Sequence, residues 1–220
     1  MTSGCSREVR KAFDYESGQF LCHVYATIPE SQEQVLDDVI TLVERRYPVT
    51  EGWVREGTLD ENKWHMTLVR GHRAVYYHQI RDLVGRIRSE CMLIQPFNIC
   101  LDTLKIFHNY EKTKQFLCMV CNQSVVDKTS ALYVFKTKLR EIIDQYAIKL
   151  TCEDETTDSL AHCSLMSRET SSSRDNQVHI LAEIERLCSS EMDELPVCIV
   201  RVDSIHVKIG NRDYEINLKG

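Results

Sequence analysis

The pattern H-x-[S/T]-L occurs twice in this chain, as His65-Met66-Thr67-Leu68 and as His162-Cys163-Ser164-Leu165. The copies stand 97 residues apart, each inside an apolar, strand-like segment. The chain's content of His, Ser, Thr and Leu supplies about 0.1 such matches by chance, so two copies arise by accident in roughly one chain in 200. Each copy precedes a loop and an amphipathic helix, which divides the chain into two matching halves. Strands and helices repeated in this way predict an α+β fold. The expected architecture is bilobal and pseudo-two-fold, with two antiparallel sheets flanking a central cleft and helices outside.

The spacing inside the motif has a direct physical meaning. On a strand, residues i and i+2 share a face. His65 and Thr67 therefore project together, as do His162 and Ser164. Met66, Leu68, Cys163 and Leu165 turn to the opposite, core side. Two such strands side by side would gather two imidazoles and two hydroxyls around one point.

That quartet suits a phosphodiester. One neutral imidazole removes the proton from a ribose 2′-OH, and the other, as imidazolium, protonates the departing 5′-oxygen. Histidine serves both roles because its ordinary pKa is near neutral. The hydroxyls of Thr67 and Ser164 donate to the non-bridging phosphate oxygens as charge develops. The scheme needs no metal and no cofactor, and attack by the 2′-OH leaves a 2′,3′-cyclic phosphate. Spacing does not say which imidazole is base and which is acid.

The remaining pattern places these motifs. Residues 20–28 read as a strand, and Ser31 with Gln34 suggests a capping box for a helix near 31–47. Residues 63–69 read as a strand and 74–90 as a helix with Ile80, Leu83, Val84 and Ile87 on one face. Residues 97–107 and 115–121 read as strands, 127–146 as a helix, 161–166 as a strand and 176–188 as a helix. The tail reads as two strands around Gly210-Asn211, a two-residue hairpin turn. The polar residues 1–17 are set apart as a short N-terminal segment, leaving 18–220 as one domain of two similar lobes.

Composition narrows the function classes. No stretch is long and apolar enough for a membrane-spanning helix, and the polar N-terminus lacks a signal-peptide core, so the protein is expected inside the cell. Ten scattered cysteines in apolar segments read as small buried hydrophobes in a reducing compartment. Cys118 and Cys121 have CxxC spacing but lie on a strand, where they face opposite sides. A net charge of −6 argues against bulk electrostatic binding of a long duplex, though not against a local groove for a few nucleotides.

Two H-x-[S/T]-hydrophobic motifs in a pseudo-symmetric chain resemble the 2H phosphoesterase superfamily. Three further segments resemble its U6 small nuclear RNA phosphodiesterase family: CHVYATIP at 22–29, KIFHNYEKTKQFL at 105–117 with its NxEKT core at 109–113, and RVDSIHVKIGNRDYEINLK at 201–219. The resemblance implies a metal-independent 3′→5′ exoribonuclease that trims terminal uridines or adenosines from U6 RNA in the nucleus. The product end would be a 2′,3′-cyclic phosphate or a 3′-phosphate. It implies His65 and His162 as the catalytic pair, Thr67 and Ser164 as phosphate-binding hydroxyls, and Tyr110 of the NxEKT turn as a contact to the terminal base. The expected partner is a single-stranded oligouridine RNA 3′ end, met by a monomer with no membrane involvement. One departure is Thr156, in an acidic loop, where family members often carry an aromatic. Arg70 and Arg73 are candidate sources of positive charge, and His23 reads as a core-strand histidine. The competing expectations are another 2H activity, such as a cyclic-nucleotide phosphodiesterase or a 2′–5′ ligase-like enzyme, and a non-catalytic RNA-end-binding module.

Overall fold

The fold was analysed in a computed structural model. It describes residues 18–46, 52–56, 64–109, 113–121, 127, 129–149, 160–170 and 195–220. The segment 1–17 and the expected helix at 176–188 lie outside the described residues.

Strand β1, Gln19–Thr27, alternates from Cys22 onward. Cys22, Val24 and Ala26 are buried, while His23 and Tyr25 turn to the other face. Helix α1 spans Glu30–Arg46 and buries Leu36, Val39, Ile40 and Val43. Its first turn carries Glu30 and Glu33 and its last carries Arg45 and Arg46, which complements the helix dipole at both ends. The helix starts one residue before Ser31, and the Gln34 amide bonds Asp38 at 2.9 Å. The expected capping box therefore gives way to an i,i+4 pair.

The first motif strand, β3, runs His65–Tyr76. It continues well past the expected end at 69, because Val75 and Ala74 pair with Phe20 and Leu21 of β1. This pairing overrides the helical spacing of residues 74–79. A 3-10 turn at Tyr77–Gln79 follows, and helix α2 occupies Ile80–Cys91. Ile80, Leu83, Val84 and Ile87 face inward as expected. Helix α3, Ala131–Tyr146, is capped by Ser130, whose hydroxyl accepts from the Tyr133 N–H at 3.2 Å.

Two segments expected as continuous strands each break at an aspartate and change sheets. Residues 97–107 divide into β4, Phe97–Leu101, and β5, Thr103–His108, around Asp102. The tail divides into β9, Cys198–Val202, and β10, Ser204–Ile209, around Asp203. β4 and β9 pair with each other as a separate two-stranded sheet. β10 returns to β1, and β11, Arg212–Asn217, follows across the Gly210-Asn211 turn. Gly210 holds φ +60°, and a Cβ there would stand 2.8 Å from a ring carbon of Phe20. The hairpin register and the glycine therefore agree.

The expected sheets of the two halves meet edge to edge. The large sheet runs β11-β10-β1-β3-β8-β6-β5, where β6 is Lys114–Val120 and β8 is His162–Glu169. Short strands β2, Val54–Arg55, and β7, Ile148–Lys149, cross over, β2 to β8 and β7 to β3. All pairings are antiparallel. The motif strands β3 and β8 join through Met66 opposite Cys163 and Thr67 opposite His162. Met66, Leu68, Cys163 and Leu165 enter the main core with residues of α1, α2 and α3. The motif's inward positions are thus the ones read from sequence. No described helix is long and apolar enough to cross a membrane.

Among the described residues Arg73 is the largest fully buried side chain, and its Nε donates to Asp144 of α3. It braces β3 against that helix on the core side. Asp144→Ala should leave the buried guanidinium short of its carboxylate and lower stability by about 1.5–3 kcal/mol, the range for a hydrogen bond to a charged group. Urea unfolding with an unchanged m-value checks this.

Candidate active site

The pairing register carries one face of β1 across the sheet. His206 lies opposite Tyr25, Tyr25 opposite Thr67, Thr67 opposite His162, and His162 opposite Val120. Residues opposed in a ladder project to the same face. A single row therefore crosses from β10 to β6, with His65 and Ser164 on the same face two residues along their strands. The two imidazole–hydroxyl couples, 97 residues apart in sequence, meet on adjoining strands.

His162 is 5 % exposed. Its Nδ1 donates to the Leu160 carbonyl at 3.1 Å, which fixes the neutral tautomer and leaves Nε2 with the free lone pair. Phe107 packs edge-on against the ring, with centroids 4.9 Å apart. Beneath it lies a small apolar cluster of Phe107, Cys118, Val120 and Leu160. Burial pushes the His162 pKa well below the ordinary value, and the Arg70 cation adds to that. Lys136 and His23 act in the same direction, and the bond to Leu160 opposes them.

His65 is partly buried and framed by two rings. His23 stands at 5.7 Å and Tyr25 at 5.1 Å, both near edge-to-face. Tyr25 stacks on His206 at 5.0 Å. Asp213 of β11 accepts from the Tyr25 hydroxyl and lies 3.2 Å from His206 Nδ1. Burial, the bond to Asp213 and its charge together raise the Tyr25 pKa, keeping the phenol protonated. This network locks the ring that abuts His65.

Each hydroxyl of the quartet has a polar neighbour from the flanking strand of its own half. Thr67 Oγ1 is 3.3 Å from His23 Nε2. Ser164 Oγ is 3.4 Å from Cys118 Sγ. Burial pushes the Cys118 thiol up to about 12, so it stays an uncharged, weak donor.

The two candidate arginines separate. Arg70 lies over the Phe107 ring at 5.0 Å and acts electrostatically on His162, His23 and Cys118. Its positive charge therefore lies beside the quartet. Arg73 is committed to Asp144 on the core side and does not reach the site. His23 is corrected from core-strand histidine to member of the site face. Asn109 clasps the ends of the NxEKT turn, with bonds to Thr113 at 2.8 Å and Lys114 at 2.9 Å. Tyr110 and Thr156 lie outside the described residues. Cys118 and Cys121 fall in different clusters on opposite sides of the strand, as their spacing predicts.

Residues 6–217 match the model of a family described as HVSL, an uncharacterised conserved protein. The chain belongs to the HVSL family. U6 snRNA phosphodiesterase 1 of Drosophila melanogaster is 24% identical to this HVSL chain over 213 residues, covering 95% of this chain and 74% of that protein. The fold matches the structure of Kluyveromyces marxianus Usb1 with a TM-score of 0.66 at 15% identity, over 91% of this chain and 98% of that one. The structure of the same yeast protein with uridine monophosphate matches with a TM-score of 0.64 at 16% identity, over the same shares of the two chains. The expected α+β fold is therefore that of this HVSL protein, and it is shared with the yeast structure.

Proposed function

We propose that this protein is a metal-independent 3′→5′ exoribonuclease that trims the oligouridine 3′ end of U6 small nuclear RNA by transesterification. The observation that carries the reading is the Thr67–His162 pairing across β3 and β8, which sets both imidazole–hydroxyl couples on one face. His65 and His162 form the acid–base pair. One takes the proton of the penultimate ribose 2′-OH, whose oxygen attacks the adjacent phosphorus. The 5′-oxygen of the terminal nucleotide leaves with a proton from the other. The shortened RNA ends in a 2′,3′-cyclic phosphate, or in a 3′-phosphate if water then opens the ring.

Thr67 and Ser164 hold the non-bridging oxygens, and Arg70 offsets their charge. In the empty site His162 is neutral. In whichever step it must donate a proton, the bound phosphate raises its pKa by placing negative charge beside it. The cations around the quartet make the binding field local, so the net charge of −6 does not oppose a short single strand.

The fly relative named U6 snRNA phosphodiesterase 1 and the yeast homologue seen with uridine monophosphate support the substrate class. On the same reading Tyr110 contacts the terminal base, and the protein acts in the nucleus as a monomer built on one domain from residue 18. The test is incubation with a uridine-tailed RNA in EDTA. Stepwise shortening with periodate-resistant ends is expected. Opening of small cyclic nucleotides without trimming would identify a different 2H activity. Tight RNA binding without turnover would identify a binding module.

A further inference from the structure

A third imidazole belongs to the site face and takes no part in the proton transfers above. His23 sits on β1 with its Nε2 3.3 Å from Thr67 Oγ1 and its ring 5.7 Å from that of His65. A threonine hydroxyl has one proton and two lone pairs. If that proton points at His23, Thr67 has nothing to donate to a phosphate. If His23 is the donor, the proton is free for the substrate.

We propose that His23 is a positioning residue, a neutral Nε2–H imidazole that donates to Thr67 Oγ1 and so commits the threonine proton to the substrate phosphate. The inference rests on the functional reading above. The surroundings of His23, together with its distance to Thr67, support it. Burial, with the charges of His65, Lys208 and Arg70, holds the His23 pKa down at about 3 against the opposing Asp213. His23 therefore stays uncharged across the working range and does not compete with His65 for a proton.

The test combines kinetics with spectroscopy on the full chain. His23→Leu removes the donor, and His23→Gln restores an amide donor at the Nε2 position. His23→Leu should lower kcat about tenfold, the loss of one hydrogen bond, with KM little changed. His23→Gln should recover most of that rate. In a Thr67→Val background, His23→Leu should have no further effect, because no hydroxyl remains to orient. A full His23→Leu effect in that background overturns the proposal, as does an unchanged kcat in His23→Leu. Independently of turnover, long-range ¹H–¹⁵N spectra of the wild type should show His23 protonated at Nε2. Protonation at Nδ1 overturns the proposal even if either variant fails to fold. A wild type that trims no RNA would instead remove the functional reading, while the tautomer still decides the orientation of Thr67.

Discussion

Replacing His162 with alanine should lower the trimming rate on a uridine-tailed RNA by roughly 10²–10⁴-fold, and His65→Ala should cost a similar factor, the usual worth of one proton-transfer group. The two losses should not multiply. Once one imidazole is gone the concerted path is already closed, so the double variant should fall little further than the worse single one. His162 is buried, and its alanine variant also opens a cavity and deletes the bond to Leu160. His162→Asn separates these effects. Its amide nitrogen occupies the place of Nδ1 and keeps the donor to the Leu160 carbonyl, but it does not titrate. The asparagine variant should melt close to the wild type and still be inactive. Trimming within a few-fold of wild type in either single variant would remove that histidine from the acid–base pair.

The part of this site visible in the sequence was visible because period-two alternation is local. His65 with Thr67 and His162 with Ser164 needed only the strand rule, and so did the burial of Met66, Leu68, Cys163 and Leu165. The alignment of Tyr25, Thr67 and His162 depends on register between strands distant in sequence, which no local pattern encodes. One signal was available for His23. The run His23-Val24-Tyr25 places two ring-bearing polar residues at alternate positions of an otherwise apolar strand, which marks an outward face with work to do. The change of sheet at Asp102 and Asp203 was legible only in hindsight. Leu101-Asp102-Thr103 and Val202-Asp203-Ser204 repeat an apolar–Asp–hydroxyl triplet in the two halves, and each marks the point where a strand leaves the small sheet for the large one. Arg73 illustrates the opposite limit, since a buried arginine is readable only through its partner on α3.

The protein should lose stability steeply as pH falls below about 6.5, and His23 and His162 should carry much of that loss. In the unfolded chain both imidazoles titrate near 6.5. In the folded site burial is the largest cause of depression for each, His23 reaching about 3 and His162 lying well below the ordinary value. Above about pH 6.5 neither state binds these protons, so the pair contributes no pH dependence there. Below it the unfolded chain takes up protons that the native state refuses, and each histidine draws the equilibrium toward unfolding by about 1.4 kcal/mol per pH unit. The effect of each ends only when its folded pKa is reached. Between pH 6.5 and 4.5 His23 alone amounts to about 2–3 kcal/mol, and His162 adds to it in the same direction. Urea midpoints at half-unit steps across that range measure the slope. His23→Gln, which has no proton to gain, should remove the His23 share of it, while carboxylates and the remaining histidines contribute equally to both proteins. Identical slopes in the two proteins would show that His23 titrates normally in the fold. Saturating uridine 3′-phosphate should also flatten the wild-type slope, because an anion seated against Arg70 and His162 lets the native state accept a proton that the empty site refuses.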